Sequence, residues 1–299
     1  MKPIRVLLFY KYVAVENPAE FAAEHLLFCK NLGIKGRIII ASEGINGTLC
    51  GTPEQTDTYM NNMRRDERFA DIVYKIDEEY EPPFDKMFVR HKKELVTFRL
   101  PENVNPNVLS GKRLPPKEFY EAIQREDTII IDARTDYEYD TGHFRGAIRP
   151  DVKSFKEFPE WVRNNLSQYK NRPILAYCTG GIRCETFTGF LLSEGFGDVS
   201  QLQGGIVSYG KDPEIRGRLF DGKCYVFDKR ISVEINHTDT HTVVGRCHHC
   251  GTPTDRFVNC ANIWCHYQHH CCKECEIRTQ RSCSPKCQES THREQTIIS

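Results

Sequence analysis

The stretch PILAYCTGGIRCE, residues 173–185, decides the fold. Pro173–Tyr177 is an apolar run of strand length, and a helix is expected to follow through Leu192. Between them lies a short loop with two adjacent glycines. Upstream, an expected helix over Lys117–Gln124 leads into a second buried-strand run, Thr128–Asp132 (TIIID). Strand–loop–helix repetition is the pattern of a doubly wound α/β domain with a parallel sheet. Such folds place their sites beyond the carboxyl ends of the strands, where Cys178 falls. The two glycines let successive backbone N–H groups turn inward, and the N-terminus of the next helix adds to that positive potential. A thiol held there is expected to ionise below the free-cysteine pKa of about 8.5, with the permanent charge of Arg183 beside it. Cys178 therefore reads as a nucleophile and Arg183 as a charge-stabilising residue. Thr179, Gly180, Gly181 and Ile182 build the loop.

Toward the N-terminus the pattern is one of alternating strands and helices. Ile4–Tyr12 is a β-rich run, and Pro18–Leu32 carries Phe21, His25, Phe28 and Leu32 at helical spacing behind Asn17 as N-cap. Gly36–Ala41 (GRIIIA) reads as a strand. Glu43–Thr48 (EGINGT) reads as a hairpin loop returning into Leu49–Cys50, because Asn-Gly is a strong turn signal; its glycines also offer a phosphate cradle. A helix over Pro53–Arg65 and strands over Ile72–Ile76 and Val89–Phe98 complete a βαββαβ order with one strand to spare. That order predicts a ferredoxin-like α+β domain over residues 1–103, with helices on one face. Lys35, Arg37, Arg90, Lys92 and Lys93 read either as a solvated charged face or, if the substrate is a polynucleotide, as contacts to its backbone.

Residues 104–116 (VNPNVLSGKRLPP) read as a linker, 117–215 as the α/β domain, and 216–299 as a Cys/His-rich irregular segment whose last residues are frayed. Ten of the 14 cysteines lie in that last segment. Cys247-x2-Cys250 and Cys272-x2-Cys275 bracket Cys260-x4-Cys265, and Cys283-x3-Cys287 follows. Short paired spacings bring two sulfurs to one ion, so structural zinc is the natural ligand. Two four-thiolate sites are possible, for example Cys247/Cys250/Cys272/Cys275 and Cys260/Cys265/Cys283/Cys287. His248, His249, His266, His269 and His270 offer alternative ligands, and Cys271 is left over.

Formal charge is balanced, with 41 basic and 41 acidic residues, so any polynucleotide contact has to rest on a local basic face. No apolar run approaches the roughly 20 residues that span a bilayer. The N-terminal MKPIRVLLFYKYV reads as a strand rather than a signal peptide. A cytoplasmic protein with neither membrane nor DNA as partner is expected.

CTGGIRC resembles the active-site loop of the rhodanese superfamily, with Cys178 first and Arg183 sixth in the loop. Ile131–Ile148 (IDARTDYEYDTGHFRGAI) is similar to the family's D-x-R…E…GH-x-x-GA segment, and residues 201–210 (QLQGGIVSYG) to its C-terminal glycine turn. A six-residue loop in that superfamily goes with sulfur chemistry, and longer loops with phosphatases and arsenate reductases. Asp132 and Arg134 are expected to form a buried ion pair. His143 and Gly146 are expected to shape a turn.

Taken whole, the chain resembles a narrower bacterial family, the tRNA uridine hydroxylases. These join an acylphosphatase-like or ferredoxin-like domain with an EGINGT loop, a rhodanese domain with CTGGIRCE, and a cysteine-rich tail. The resemblance implies oxygen-dependent conversion of the wobble uridine of tRNA to 5-hydroxyuridine. It also implies the tRNA anticodon region as partner and molecular oxygen as co-substrate, with an electron donor that the sequence does not identify. Cys178 would be the catalytic cysteine, carrying a persulfide by analogy with rhodaneses. Two alternatives use the same residues: a sulfurtransferase with a persulfide on Cys178, of thiosulfate type or as a relay for tRNA thiolation, and a metal-stabilised RNA-binding adaptor.

Overall fold

The computed structural model describes residues 3–99 and 105–294. The expected domain boundary at 103/104 and the last five residues of the tail lie outside the described residues. The N-terminal unit runs β1 (Ile4–Tyr12), α1 (Pro18–Leu32), β2 (Lys35–Ala41), β3 (Gly44–Gly51), α2 (Pro53–Arg64), β4 (Tyr74–Glu79) and β5 (Met87–His91). Its sheet has the order β4-β1-β3-β2-β5, the ferredoxin-like arrangement with β5 added in parallel to the β2 edge. Alternation along the strands sends Leu7, Phe9, Ile38, Ile40, Ile45 and Leu49 to one face, where they pack on Tyr59, Met60 and Met63 of α2 and Ala22 and Cys29 of α1. His25 belongs to this core. Its Nε2 lies 3.0 Å from the Tyr59 hydroxyl, and burial pushes its pKa down to about 4.

Three details differ from the sequence reading. Asn17 stands at the N-cap of α1 but is left-handed (φ 47°) and caps nothing with its side chain. The EGINGT segment is not a loop. Gly44–Gly51 is the central strand β3, paired with β1 and β2, and the hairpin turns at Ser42-Glu43. Gly47 lies mid-strand because Phe9 and Ile38 fill the space where its side chain would stand. The expected strand over Val89–Phe98 ends at His91, and Phe98 is instead buried in the next unit against Phe155 and Phe190.

The central unit contains β6 (Lys112–Leu114), α3 (Pro116–Ala122), β7 (Ile129–Asp132), α4 (Asp136–Thr141), β8 (Gly142–Phe144), α5 (Phe158–Asn165), β9 (Ile174–Tyr177), α6 (Ile182–Ser193), β10 (Val199–Leu202) and α7 (Gly205–Lys211). Its parallel sheet has the order β6-β10-β9-β7. Strand β9 shows why it is doubly wound. Ile174 and Ala176 enter a core with Phe158, Phe187 and Phe190, whereas Leu175 and Tyr177 enter another with Phe119, Ile206 and Tyr209. Strand β6 falls within the segment read as a linker, so Lys112–Leu114 belongs to the sheet.

The segment read as irregular begins with structure that completes the central unit. Strand β11 (Phe220–Tyr225) pairs with β8 and with β12 (Ser232–Glu234); it buries Phe220 and Cys224 in the second core, which Ile235 just after β12 joins. Beyond it are a hairpin of β13 (Phe257–Asn259) and β14 (Gln268–His270) and the short helices α8 (Lys273–Thr279) and α9 (Pro285–Gln288). Among the described residues no helix is long and apolar enough to cross a membrane.

A Cβ at Gly47 would come within 2.8 Å of Phe9 and 2.9 Å of Ile38. Gly47→Val should destabilise the N-terminal sheet by about 1–3 kcal/mol through overpacking. The check is a lowered urea midpoint at unchanged slope; a turn residue would tolerate the change.

Candidate active site and metal-ligating clusters

Strand β9 ends at Tyr177 and delivers Cys178 into the loop that opens α6. Three successive loop carbonyls are turned outward and find donors outside the loop. The Cys178 and Thr179 carbonyls accept from the amides of Ile206 (3.0 Å) and Val207 (3.1 Å), and Gly180 accepts from Lys75 Nζ (2.9 Å). Gly205 makes that packing possible. A Cβ there would lie 2.6–2.7 Å from the Cys178 and Thr179 carbonyls and the Gly181 amide. With its carbonyls held outward, the loop points amides at the sulfur, and Gly181 N–H donates to Cys178 Sγ at 3.1 Å.

The Cys178 residue has no exposed surface, yet it lines a cavity of about 430 Å³. Burial by itself would raise its pKa. That effect is outweighed by a hydrogen bond from the Cys184 thiol, the Arg183 charge and the amides of Cys184 and Gly181, which together bring it down to about 6. Cys184, buried beside an anionic sulfur, is pushed well up and remains a thiol donor. Arg183 is less free than its sequence position suggests. It forms a two-pronged ion pair with Glu138 (2.7 and 2.8 Å) and donates to Thr179 Oγ1 at 3.1 Å. Burial works against the Glu138 carboxylate, but Arg183 and Arg134 hold it below the usual carboxylate range. Asp132 and Arg134 form a fully buried ion pair at 2.7 Å beneath the loop, and Arg134 also donates to the Gly142 carbonyl. His143 stacks on Tyr139 and bonds its backbone carbonyl, outside the cavity lining.

The open face of the N-terminal sheet roofs the cavity. Register aligns Lys75, Leu8, Thr48, Arg37 and Phe88 in one row across the strands and Tyr10, Asn46, Ile39 and Arg90 in the next. Leu8, Tyr10, Arg37, Ile39, Asn46 and Thr48 line the cavity opposite Cys178. Glu185 fastens the two units, accepting from Arg113 (2.9 and 2.8 Å), Ser110 (2.7 Å) and Tyr10 (3.1 Å). Lys75 was not singled out from sequence. Burial pushes its pKa down to about 8, against the pull of Cys178 and Glu185, so it is a cation at neutral pH. Phe227, 54% exposed, stands at the cavity with the Arg183 guanidinium 6.0 Å from its ring centroid.

Of the five cations singled out in the N-terminal unit, Arg37 lines the cavity, and Lys35 and Arg90 share its sheet face. Lys92 and Lys93 follow β5 and line a separate surface depression with Arg99. In the cysteine-rich segment, Cys247, Cys250, Cys272 and Cys275 have their sulfurs within 4.8 Å of one another, as do Cys260, Cys265, Cys283 and Cys287. Zinc–thiolate bonds of about 2.3 Å in a tetrahedron set sulfurs about 3.8 Å apart. Cys250–Cys272 (3.7 Å), Cys265–Cys283 (3.6 Å) and Cys283–Cys287 (3.7 Å) match that spacing, so the donor sets fit a tetrahedral ion. Cys224 stands apart, 3.9 Å from Arg134.

A parallel sheet with an amide-cradled cysteine at its carboxyl edge defines a rhodanese-like protein. The chain matches the rhodanese-like domain family over residues 115–212, the UPF0176 acylphosphatase-like domain over 4–95 and the rhodanese C-terminal family over 221–288. It is 60% identical to the tRNA uridine(34) hydroxylase of Bacillus licheniformis over 283 residues, 95% of this chain and 88% of that protein. It is 58% identical to the protein of that name from Bacillus cytotoxicus over 286 residues, 96% of this chain and 88% of that one. The chain belongs to the tRNA uridine(34) hydroxylase family. Among solved structures, the rhodanese-like domain of an Anabaena protein is 22% identical with a TM-score of 0.31, covering 37% of this chain and 78% of that one.

Alkylation of Cys178 by iodoacetamide should rise with pH around a midpoint near 6, where an ordinary thiol would titrate near 8.5. Arg183→Met removes one of the groups that favour the thiolate and should move the midpoint up by about one pH unit. Mass spectrometry of the Cys178 peptide across pH provides the check.

Proposed function

We propose that this protein hydroxylates C5 of the wobble uridine in the anticodon of tRNA, in the cytoplasm, with molecular oxygen as co-substrate and Cys178 as the sulfur nucleophile. The observation that carries the reading is an ionisable sulfur facing a cavity whose roof, supplied by a second unit, carries a cationic arginine. The names of the relatives supply the substrate class.

A volume of about 430 Å³ lies in the range of pockets that enclose a small ligand. An anticodon base is already unpaired, so extruding it costs little. Once inside, the uracil ring meets aromatic surface from Phe227 and Phe155 and polar groups from Asn46 and Thr48. Arg183 and Arg230 are neutralised by Glu138 and Asp228. Arg37, which has no ion-pair partner among the described residues, is left to meet the nucleotide phosphate. Arg90 and Lys35 on the same sheet face extend that path, and Lys92 and Lys93 lie beyond it. These cations position the strand, and the cavity selects the base.

The chemistry assigned to Cys178 is addition of its thiolate at uracil C6. Addition there loads charge onto O4 and makes C5 nucleophilic toward an oxidant. After C5 is oxygenated, loss of the C5 proton breaks the C6–S bond, restores the C5–C6 double bond and returns the thiolate. The loop amides, Arg183 and Lys75 surround the sulfur with fixed positive charge that favours the anion. Hydroxylation by oxygen also consumes two electrons and two protons as water forms, so an external donor is part of the reaction. The two four-cysteine clusters are assigned structural zinc, which would supply folding energy to a segment with little apolar core.

Cys178→Ser should abolish 5-hydroxyuridine in tRNA from cells carrying only that variant, read by nucleoside mass spectrometry. Loss of a thiolated uridine instead, with 5-hydroxyuridine intact, would establish the sulfurtransferase alternative. Arg37→Ala with Arg90→Ala should flatten the dependence of log K for tRNA on log salt by about 0.7 for each phosphate no longer neutralised. An unchanged slope would remove both from the substrate path.

A further inference from the structure

Between the two four-cysteine clusters lies a third group that neither uses. His249, His269 and Cys271 each bring one ligand atom within 4.8 Å of the other two. Its ligands alternate along the chain with those of the first cluster, since His249 directly precedes Cys250 and Cys271 directly precedes Cys272. His269 lies on β14, paired with Val258 of β13. Strand alternation sends the neighbouring His270 to the opposite face, where it packs on Phe257 at 4.7 Å.

Three ring nitrogens of this cluster lack partners, while the Cys271 thiol reaches the Cys272 carbonyl at 3.6 Å. His269 is 3% exposed and Cys271 0%. Neither ring nitrogen of His269 has a hydrogen-bond partner, and His249 Nε2 has none. A neutral imidazole carries one N–H donor and one lone pair, and burial without partners for them costs about 1–3 kcal/mol per group. One nitrogen of each ring and the Cys271 sulfur converge on one point, and a bound ion would partner those two nitrogens.

We propose that His249, His269 and Cys271 form a third zinc site, distinct from the two four-cysteine clusters. Two imidazoles and a thiolate form a donor set that suits zinc, and three protein ligands leave one tetrahedral position for water. The ion joins the loop Cys247–Cys250 to the end of the β13–β14 hairpin. The neighbouring His248 already reaches the second cluster, with Nε2 3.1 Å from the Cys283 carbonyl. The third ion thus ties the parts that carry the other two into one body.

The test uses the full chain expressed with added zinc and purified without chelator. Mass-spectrometric metal analysis should give three zinc ions per chain. Zinc X-ray absorption on the same sample should show imidazole scattering, averaging nine sulfur and two nitrogen donors over the three ions. Two ions or fewer, or an all-sulfur spectrum, overturns the proposal; an all-sulfur spectrum with two ions leaves the two cysteine clusters standing. His249→Ala with His269→Ala should lower the count by one and abolish the imidazole signal, and a variant that keeps three ions also overturns it. The measurements on the unmodified chain decide the matter even if the variant fails to fold.

Discussion

The Lys75 ammonium donates to the Gly180 carbonyl across the boundary between two sheets, and the chemistry of Cys178 depends on interactions of that kind. A short loop can aim its N–H groups at a sulfur only if its carbonyls face the other way and are satisfied there. Here two of those carbonyls are held by amides of α7 and one by a lysine from another unit. Glu185 clamps Tyr10 and Arg113 from the same helix that Arg183 opens, so the roof and the cradle are fixed by neighbouring residues. The N-terminal unit therefore helps to build the Cys178 cavity rather than being an appended module.

Local pattern carried much of this into the sequence, and long-range placement carried the rest out of reach. Strand β1 and helix α1 fall on the residues read for them, because alternation and a regular apolar spacing are set within a dozen residues. The Asn46-Gly47 pair misled because the same residues serve two purposes. They mark turns, and they also fit a central strand where Phe9 and Ile38 leave no room for a side chain. Strand β11 was hidden in the same way, since its partner β8 is about 80 residues away and its polar residues pair at a distance, as Asp221 does with Arg145. Lys75 gives no local signal. Only the pairing of β4 with β1 places it beside Leu8 and over the loop.

Glu138 belongs to a stretch quoted for its similarity to the rhodanese pattern, yet its partner could not be read there. The structure shows the two-pronged pair with Arg183. The cysteine segment was more legible because its spacing is a local property, and the two four-sulfur groups consist of residues close together along the chain.

Burial keeps the thiol moderately and not extremely acidic, working against the Cys184 thiol, the Arg183 charge and the amides of Cys184 and Gly181. Nucleophilicity falls as thiol pKa falls, so the best attacking sulfur titrates close to the working pH. A sulfur that titrates near 6 is mostly thiolate at neutral pH, and the ring addition proposed for it would draw on the basicity it retains. Glu138, held as a carboxylate by Arg183 and Arg134, fixes the Arg183 guanidinium from outside the cavity. Its position in the first turn of α4, tied to Thr135 as a capping box, gives the charge a fixed distance from the loop that a mobile side chain could not maintain.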